Sequence, residues 1–218
     1  CFLYCLIFFL CFVYFYFLFF SFTRTQGRRQ HLIRTAADLV YRNGFLKTTL
    51  ADISAEAGIP LGSIYYYFPA REDIARAVMQ RRVTELDGFL EKQAGQPDPR
   101  LRLEALVHVW VDERESDTAF GCPVGSLCYE LAKGRGPMSA EAAQPFQLLL
   151  AWCEAQFRLM GCSRDARTLA LHLVAALQGI SLIANALGES AHILREAAYL
   201  KRWLREIDSR TKRRNGAR

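Results

Sequence analysis

The 218-residue sequence predicts an all-α protein, a small N-terminal three-helix unit holding a helix-turn-helix and then a larger all-helical body. Three observations carry that prediction. From Arg28 onward apolar residues recur at three- and four-residue spacing, and nothing alternates with the period of two that a half-buried strand shows. Glycine and proline punctuate the chain at helix-length intervals, at Asn43-Gly44, Gly58-Ile59-Pro60, Pro69, Gly95 to Pro99, Gly134 to Pro137 and Gly188. Finally, 51 % hydrophobic against 23 % charged residues supplies enough apolar material for a packed core and argues against general disorder.

The first helix carries Ile33, Ala36, Ala37, Val40 and Tyr41 on one stripe and ends at Asn43-Gly44, where glycine can take the left-handed conformation. Thr49-Leu50-Ala51-Asp52 reads as a capping box opening a second helix, with Leu50, Ile53 and Ala57 turned inward and Gly58 as its stop. A third, short helix spans Leu61 to Phe68, closed by Pro69. Arg71-Glu72-Asp73 opens a longer helix through Ile74, Val78, Val83, Leu86 and Leu90, which fades between Gly95 and Pro99.

Beyond that boundary, Leu101 to Glu115 is amphipathic, and Gly121-Cys122-Pro123 starts a segment running to about Lys133. Ser139 is expected to cap a helix ending at Gly161, and Ser163 to cap the next, whose stretch from Leu169 to Leu187 is apolar on nearly every face. Ser190 is expected to cap a last helix with Ile193, Ala197, Leu200 and Leu204 on one side. The tail, 210–218, is basic and expected to fray. The expected domains are therefore 24–73 for the three-helix unit and 74–209 for the body. No internal repeats are visible.

Residues 1–23 stand apart. Cys1 to Phe22 carry no charge and are long enough to cross a bilayer. Yet the chain opens with Cys, its first Met is Met79, and the segment is laden with Phe and Tyr, residues of T-rich codons, before an Ala-, Arg- and Gly-rich body. It reads as translation upstream of the true start and is set aside from the fold; a membrane tether is the alternative. It has neither the basic leader nor the cleavage site of a signal peptide.

The net charge of +6 suits a polyanionic partner without specifying one. Seven cysteines form no C-x-x-C pair and have no histidine at zinc-ligand spacing, so no metal or cofactor is expected and the body thiols read as reduced and mostly buried. Neither a nucleophile–base pattern nor a glycine-rich phosphate loop appears, which leaves a helical enzyme as a weak alternative.

Helix, glycine turn, short helix is the arrangement whose second helix enters a DNA major groove. Ala55 is expected to allow a close helix crossing, Gly58 to take the turn, and Ile64 to plug the core against Ile53. The run from Thr48 to Phe68, TTLADISAEAGIPLGSIYYYF, followed by Arg71-Glu72-Asp73-Ile74, closely resembles the signature of the TetR family of transcriptional regulators. The match begins near Arg28, and the remaining helical body has that family's length and order.

The resemblance implies a cytoplasmic, dimeric regulator that binds a near-palindromic operator in double-stranded DNA, most often a repressor released by a small-molecule effector. It places Lys47, Thr48, Thr49, Leu61, Gly62, Ser63, Tyr65, Tyr66, Tyr67 and Arg71 at DNA, with Arg29 a weaker phosphate candidate. The chemistry agrees in part: helix starts at Thr49 and Leu61 offer free N–H groups to phosphate, Gly62 lets backbone approach the duplex, and Arg71 stands where the family usually has lysine. The last two helices would pair with their copies in a four-helix bundle.

Family bodies hold an effector pocket between their middle helices. Aromatic and polar residues embedded in apolar stretches are candidates to line it: His108, Trp110, Phe120, Cys122, Tyr129, Trp152, Phe157, His172, Gln178 and Asn185, each of which could equally be an ordinary core residue. The segment from Phe120 to Leu127 resembles the Gly-Cys segment of members that sense thiol-reactive compounds. A helix start lowers a thiol's pKa, so Cys122 is expected to be either a reactive sensor or an inert cap.

Overall fold

A computed structural model describes residues 25–134 and 138–216, so the apolar leader lies outside the described residues. Eleven α-helices occur in that span: α1 (25–43), α2 (Leu50–Ala57), α3 (Leu61–Tyr67), α4 (Arg71–Lys92), α5 (Pro99–Asp112), α6 (Arg114–Phe120), α7 (Pro123–Lys133), α8 (Met138–Glu141), α9 (Gln144–Leu159), α10 (Ala166–Leu187) and α11 (Ala191–Gly216). No strand occurs among the described residues.

Local chemistry sets most of the boundaries. The Thr49 side chain accepts from the Asp52 amide at 3.1 Å while Asp52 accepts from the Thr49 amide at 2.8 Å, the reciprocal box that starts α2. Gly58 ends it at φ 64°, a conformation that costs a residue with a Cβ about 1 kcal/mol or more. Pro99 and Pro123 sit in the first turns of α5 and α7, where a missing N–H removes nothing.

Elsewhere the boundaries differ from those expected. The amphipathic run after Pro99 stops at Asp112 and resumes as α6, so Glu115 lies inside a second helix rather than at the end of one. Ser139 lies within the one-turn α8, and α9 starts separately after Ala143 with Pro145 in its first turn. Asp165, not Ser163, precedes α10. Ser190 precedes α11 but turns its hydroxyl to Glu115, 3.1 Å away, so it ties α11 to α6 instead of capping. The basic tail continues α11 as helix to Gly216, held in part by Arg214 donating to the Gly161 carbonyl.

Two apolar cores meet along α4. In the first, Leu32, Ile33, Ala36 and Ala37 of α1 surround Ile53, Ile64 and Phe68, with Ile74, Ala75, Val78 and Met79 of α4 beneath. Leu127, Cys128 and Leu131 of α7 belong to the same core, so a body helix closes the head's interior. The second joins Leu90, Leu103, Leu106 and Val107 to Phe157, Leu173, Leu177, Leu200 and Leu204. Burying side chains of this kind supplies about 1.5–3 kcal/mol each. Ala55, by contrast, faces solvent: the α2–α3 crossing is seated by Ile53 and Ala57 instead.

Candidate nucleic-acid interface and effector cavity

The α2–α3 pair is built as a rigid unit. Ser54 Oγ donates to the Ile59 carbonyl at 2.7 Å, and the Gly58 and Ile59 amides bond back to α2, so the turn has little freedom. Ile64 is fully buried, and Phe68 is 2 % exposed beneath the guanidinium of Arg29. With Ile64 inward, helical spacing turns Leu61, Gly62, Tyr65 and Tyr66 to solvent. Tyr66 is 77 % exposed, and nothing lies within 4 Å of where a Gly62 side chain would begin. Ser63 and Tyr67 are half-buried, and Tyr67 packs on the first core while meeting Tyr66 edge-on at 5.1 Å.

Two of the expected DNA residues are used inside the protein. Thr48 is 4 % exposed and donates its hydroxyl to the Gly44 carbonyl at 2.8 Å, so it shapes the α1–α2 turn and does not face a duplex. Arg71 donates to the Phe45 carbonyl and lies over the Phe45 ring at 4.5 Å, with its Nε buried. Its planar fork clamps that turn instead of standing free for phosphate. Lys47 and Thr49 are exposed.

In the body a cavity of about 720 Å³ opens between α7, α8, α9 and α10. Cys122, Tyr129, Gln178 and Asn185 line it, together with Ser126, Glu130, Ser139 and Phe146. The remaining candidates fall elsewhere. His108 is on the outer face of α5, beside Lys201 and Asp112, and His172 lies exposed against the Trp203 ring. Trp152 and Phe157 belong to the second core, and Phe120 packs edge-on against Tyr41. Trp110 approaches only from behind, donating to Ser181 Oγ at 2.8 Å. Periodicity alone could not separate these, because core and cavity faces look alike in sequence. Ser126 and Glu130 follow Cys122 at successive four-residue steps, which puts them on the same side of α7 as Tyr129.

Cys122 caps α7 as expected, its sulfur accepting from the Gly125 amide at 3.4 Å and from Gln178 Nε2 at 3.5 Å. The expected drop in its pKa does not follow. Burial pushes the thiol up, the nearby Asp117 carboxyl adds to that, and hydrogen bonds from the Gly125 and Val124 amides and Gln178 only partly offset it. The helix start is overridden by desolvation, and the sulfur is held as a protonated wall atom. Cys128 and Cys153 are buried and pushed up to about 12, and the four body cysteines are all free thiols. No group of metal-ligating side chains comes together among the described residues.

Behind the cavity Asp117 is 3 % exposed and accepts from Ser181 Oγ at 2.6 Å. Burial raises its pKa, the Ser181 hydrogen bond opposes this, and Glu113 adds to it. A carboxyl raised on folding is no burden in acid, where both states are protonated. As pH climbs past the unfolded value the unfolded chain ionises first, and folding loses stability until the folded carboxyl ionises too. Asp117→Asn is therefore expected to raise the melting temperature near neutral pH, with the gain shrinking toward about pH 4. Paired thermal melts across pH check this; a constant difference would assign the effect to packing.

A solvent-facing recognition-type helix on a two-helix seat, with a cavity in the helical body behind it, is the geometry to place among known proteins. Residues 32–78, spanning α1 to the start of α4, match the sequence model of "Bacterial regulatory proteins, tetR family". The helix-turn-helix unit is of the TetR type. A helix-turn-helix transcriptional repressor of Rhodococcus jostii, KstR2, is 38 % identical over 83 residues, covering 38 % of this chain and 41 % of that protein. An uncharacterized helix-turn-helix-type transcriptional regulator in the lacX 3' region of Lactococcus lactis is 28 % identical over 112 residues, covering 49 % and 56 %. The alignments thus span about half the length of these TetR-like relatives or less. The fold likeness reaches further: the crystal structure of a TetR transcriptional regulator from Chloroflexus aurantiacus superposes with a TM-score of 0.73 at 21 % identity, over 84 % of this chain and 96 % of that one.

Proposed function

We propose that this protein is a cytoplasmic, dimeric repressor of the TetR type that holds a near-palindromic operator through α3 and releases it when a small molecule fills the body cavity. The observation that carries this reading is the seating of α3. Ile64 and Phe68 lock it from below while Leu61, Gly62, Tyr65 and Tyr66 are displayed above. Lys47, Thr49 and Ser63 suit phosphate or base-edge contact.

The dimer is supported by the far side of the body. Leu171, Ile183 and Leu187 of α10 and Leu194 and Tyr199 of α11 are exposed large apolar residues on two helices that pack together, whereas the exposed Leu182 lines the cavity. Monomeric proteins rarely leave so long an apolar face uncovered, and a single helix-turn-helix makes too few contacts for specific binding. Two copies joined there would present two α3 helices to half-sites about one DNA turn apart.

Release would follow from a population shift. A ligand that favours one spacing of the heads favours, by linkage, one DNA affinity. Because Cys122 is held protonated, reversible filling of the cavity fits the geometry better than thiol modification. Fluorescence anisotropy with DNA from the gene's own upstream region tests the reading. Saturable, sequence-dependent binding at moderate salt is expected; binding no tighter than to scrambled DNA would overturn it.

A further inference from the structure

The cavity wall has an unusual polar balance. Among the described residues that line it, Glu130 is the charged one, and no lysine, arginine or histidine is present. Its carboxylate accepts from the Leu46 amide at 2.8 Å, and among the described residues it has no ion pair. Each lining amide spends one N–H on the protein, Gln178 on the Cys122 sulfur and Asn185 on the Thr118 carbonyl at 2.9 Å. Their oxygens are left as acceptors, and a Cβ at Gly125 would collide with Gln178 Oε1. Behind Ser181 lies the buried Asp117, also without an ion pair among the described residues. The wall is mostly apolar, and the charge that its described residues carry is negative.

Taking this cavity as the effector site, as proposed above, we propose that its occupant is an amphipathic organic cation, an ammonium or amidinium head on an apolar body, and that Glu130 receives the head. Among the described lining residues an anion would meet Glu130 and no positive partner, which is costly. A neutral apolar molecule would strip water from the carboxylate and return nothing. A cation gains charge-assisted hydrogen bonds to Glu130 and to the amide oxygens. The Tyr129 ring beside them is engaged by the Lys133 ammonium at 5.1 Å.

Glu130 also explains how occupancy reaches the DNA-reading head. Its Oε2 holds the Leu46 amide, and its Oε1 lies so close to Gly44, at φ 84°, that a Cβ there would come within 2.9 Å. The same turn is clamped from the other side by Arg71 on Phe45, and it leads directly into the Thr49 cap of α2. A positive head drawn to Glu130 competes with the Leu46 N–H and loosens one of the two clamps.

Titration calorimetry on the purified full chain, without DNA, tests the charge selection with three probes of matched size: 4-phenylbutylammonium, 4-phenylbutanol and 4-phenylbutanoate. The ammonium is expected to bind about tenfold or more tighter than the alcohol, with the carboxylate weakest. Glu130→Gln keeps an acceptor for Leu46 and so keeps the fold, but the ammonium preference should fall to near parity with the alcohol. Three results would overturn the proposal: no binding of the ammonium up to millimolar concentration, equal or tighter binding of the alcohol or carboxylate, or an unchanged preference in Glu130→Gln. Since no DNA is present, failure of operator binding sinks the repressor reading alone, while loss of charge preference sinks only this one.

Discussion

Tyr66→Ala is expected to weaken operator binding by about 1–3 kcal/mol per recognition helix, and so roughly twice that for a dimer engaging both half-sites. The side chain is the most exposed large residue on α3 and sits directly beside the open face of Gly62. Because it rests mostly in solvent, its removal should move thermal stability by no more than about 0.5 kcal/mol. Ile64→Ala, one position along the fully buried line, should instead cost about 2–5 kcal/mol of stability. The two variants thus separate a contact surface from its support. Operator affinity measured by anisotropy, with melting followed by circular dichroism, reads both. An unchanged affinity for Tyr66→Ala would mean that another surface meets the duplex.

Placing a charge on the α10 face should have the second large effect. Ile183→Asp alters a side chain that is 49 % exposed in the single chain, so the protomer's own packing is barely touched. In a symmetric pair the two carboxylates would be buried near the dyad without partners, costing several kcal/mol. The variant is expected to sediment as a monomer and to lose about 10²–10⁴-fold in operator affinity, because the two half-sites are no longer linked. Sedimentation velocity with parallel DNA titration tests this. Dimers that survive the substitution would move the interface off α10.

Much of the helix-turn-helix half is legible in the sequence. The capping box at Thr49 and Asp52, the left-handed stop at Gly58 and the proline after Phe68 are local instructions that each act within a few residues. The buried and exposed sides of α3 follow from them once Ile64 is known to point inward. The body was less legible, because its helices are apolar on more than one side. His108, Trp110, Trp152 and His172 share the sequence character of Gln178 and Asn185, yet only the latter two reach the cavity. Nothing local distinguishes them.

Sequence alone therefore determined the helical class and the helix-turn-helix, since these rest on hydrophobic period, caps and turns, whose causes lie within one or two helical turns of each residue. Tertiary structure decided what was made of particular side chains. It drew Thr48 and Arg71 into the α1–α2 turn, raised the Cys122 pKa by burial where its helix start alone would lower it, and set Glu130 between the cavity and the head. Each outcome depends on groups distant in the chain: Leu46 and Glu130 are 84 residues apart and Arg71 and Phe45 are 26 apart. Desolvation and long-range hydrogen bonding belong to the assembled fold, so no local pattern could announce them.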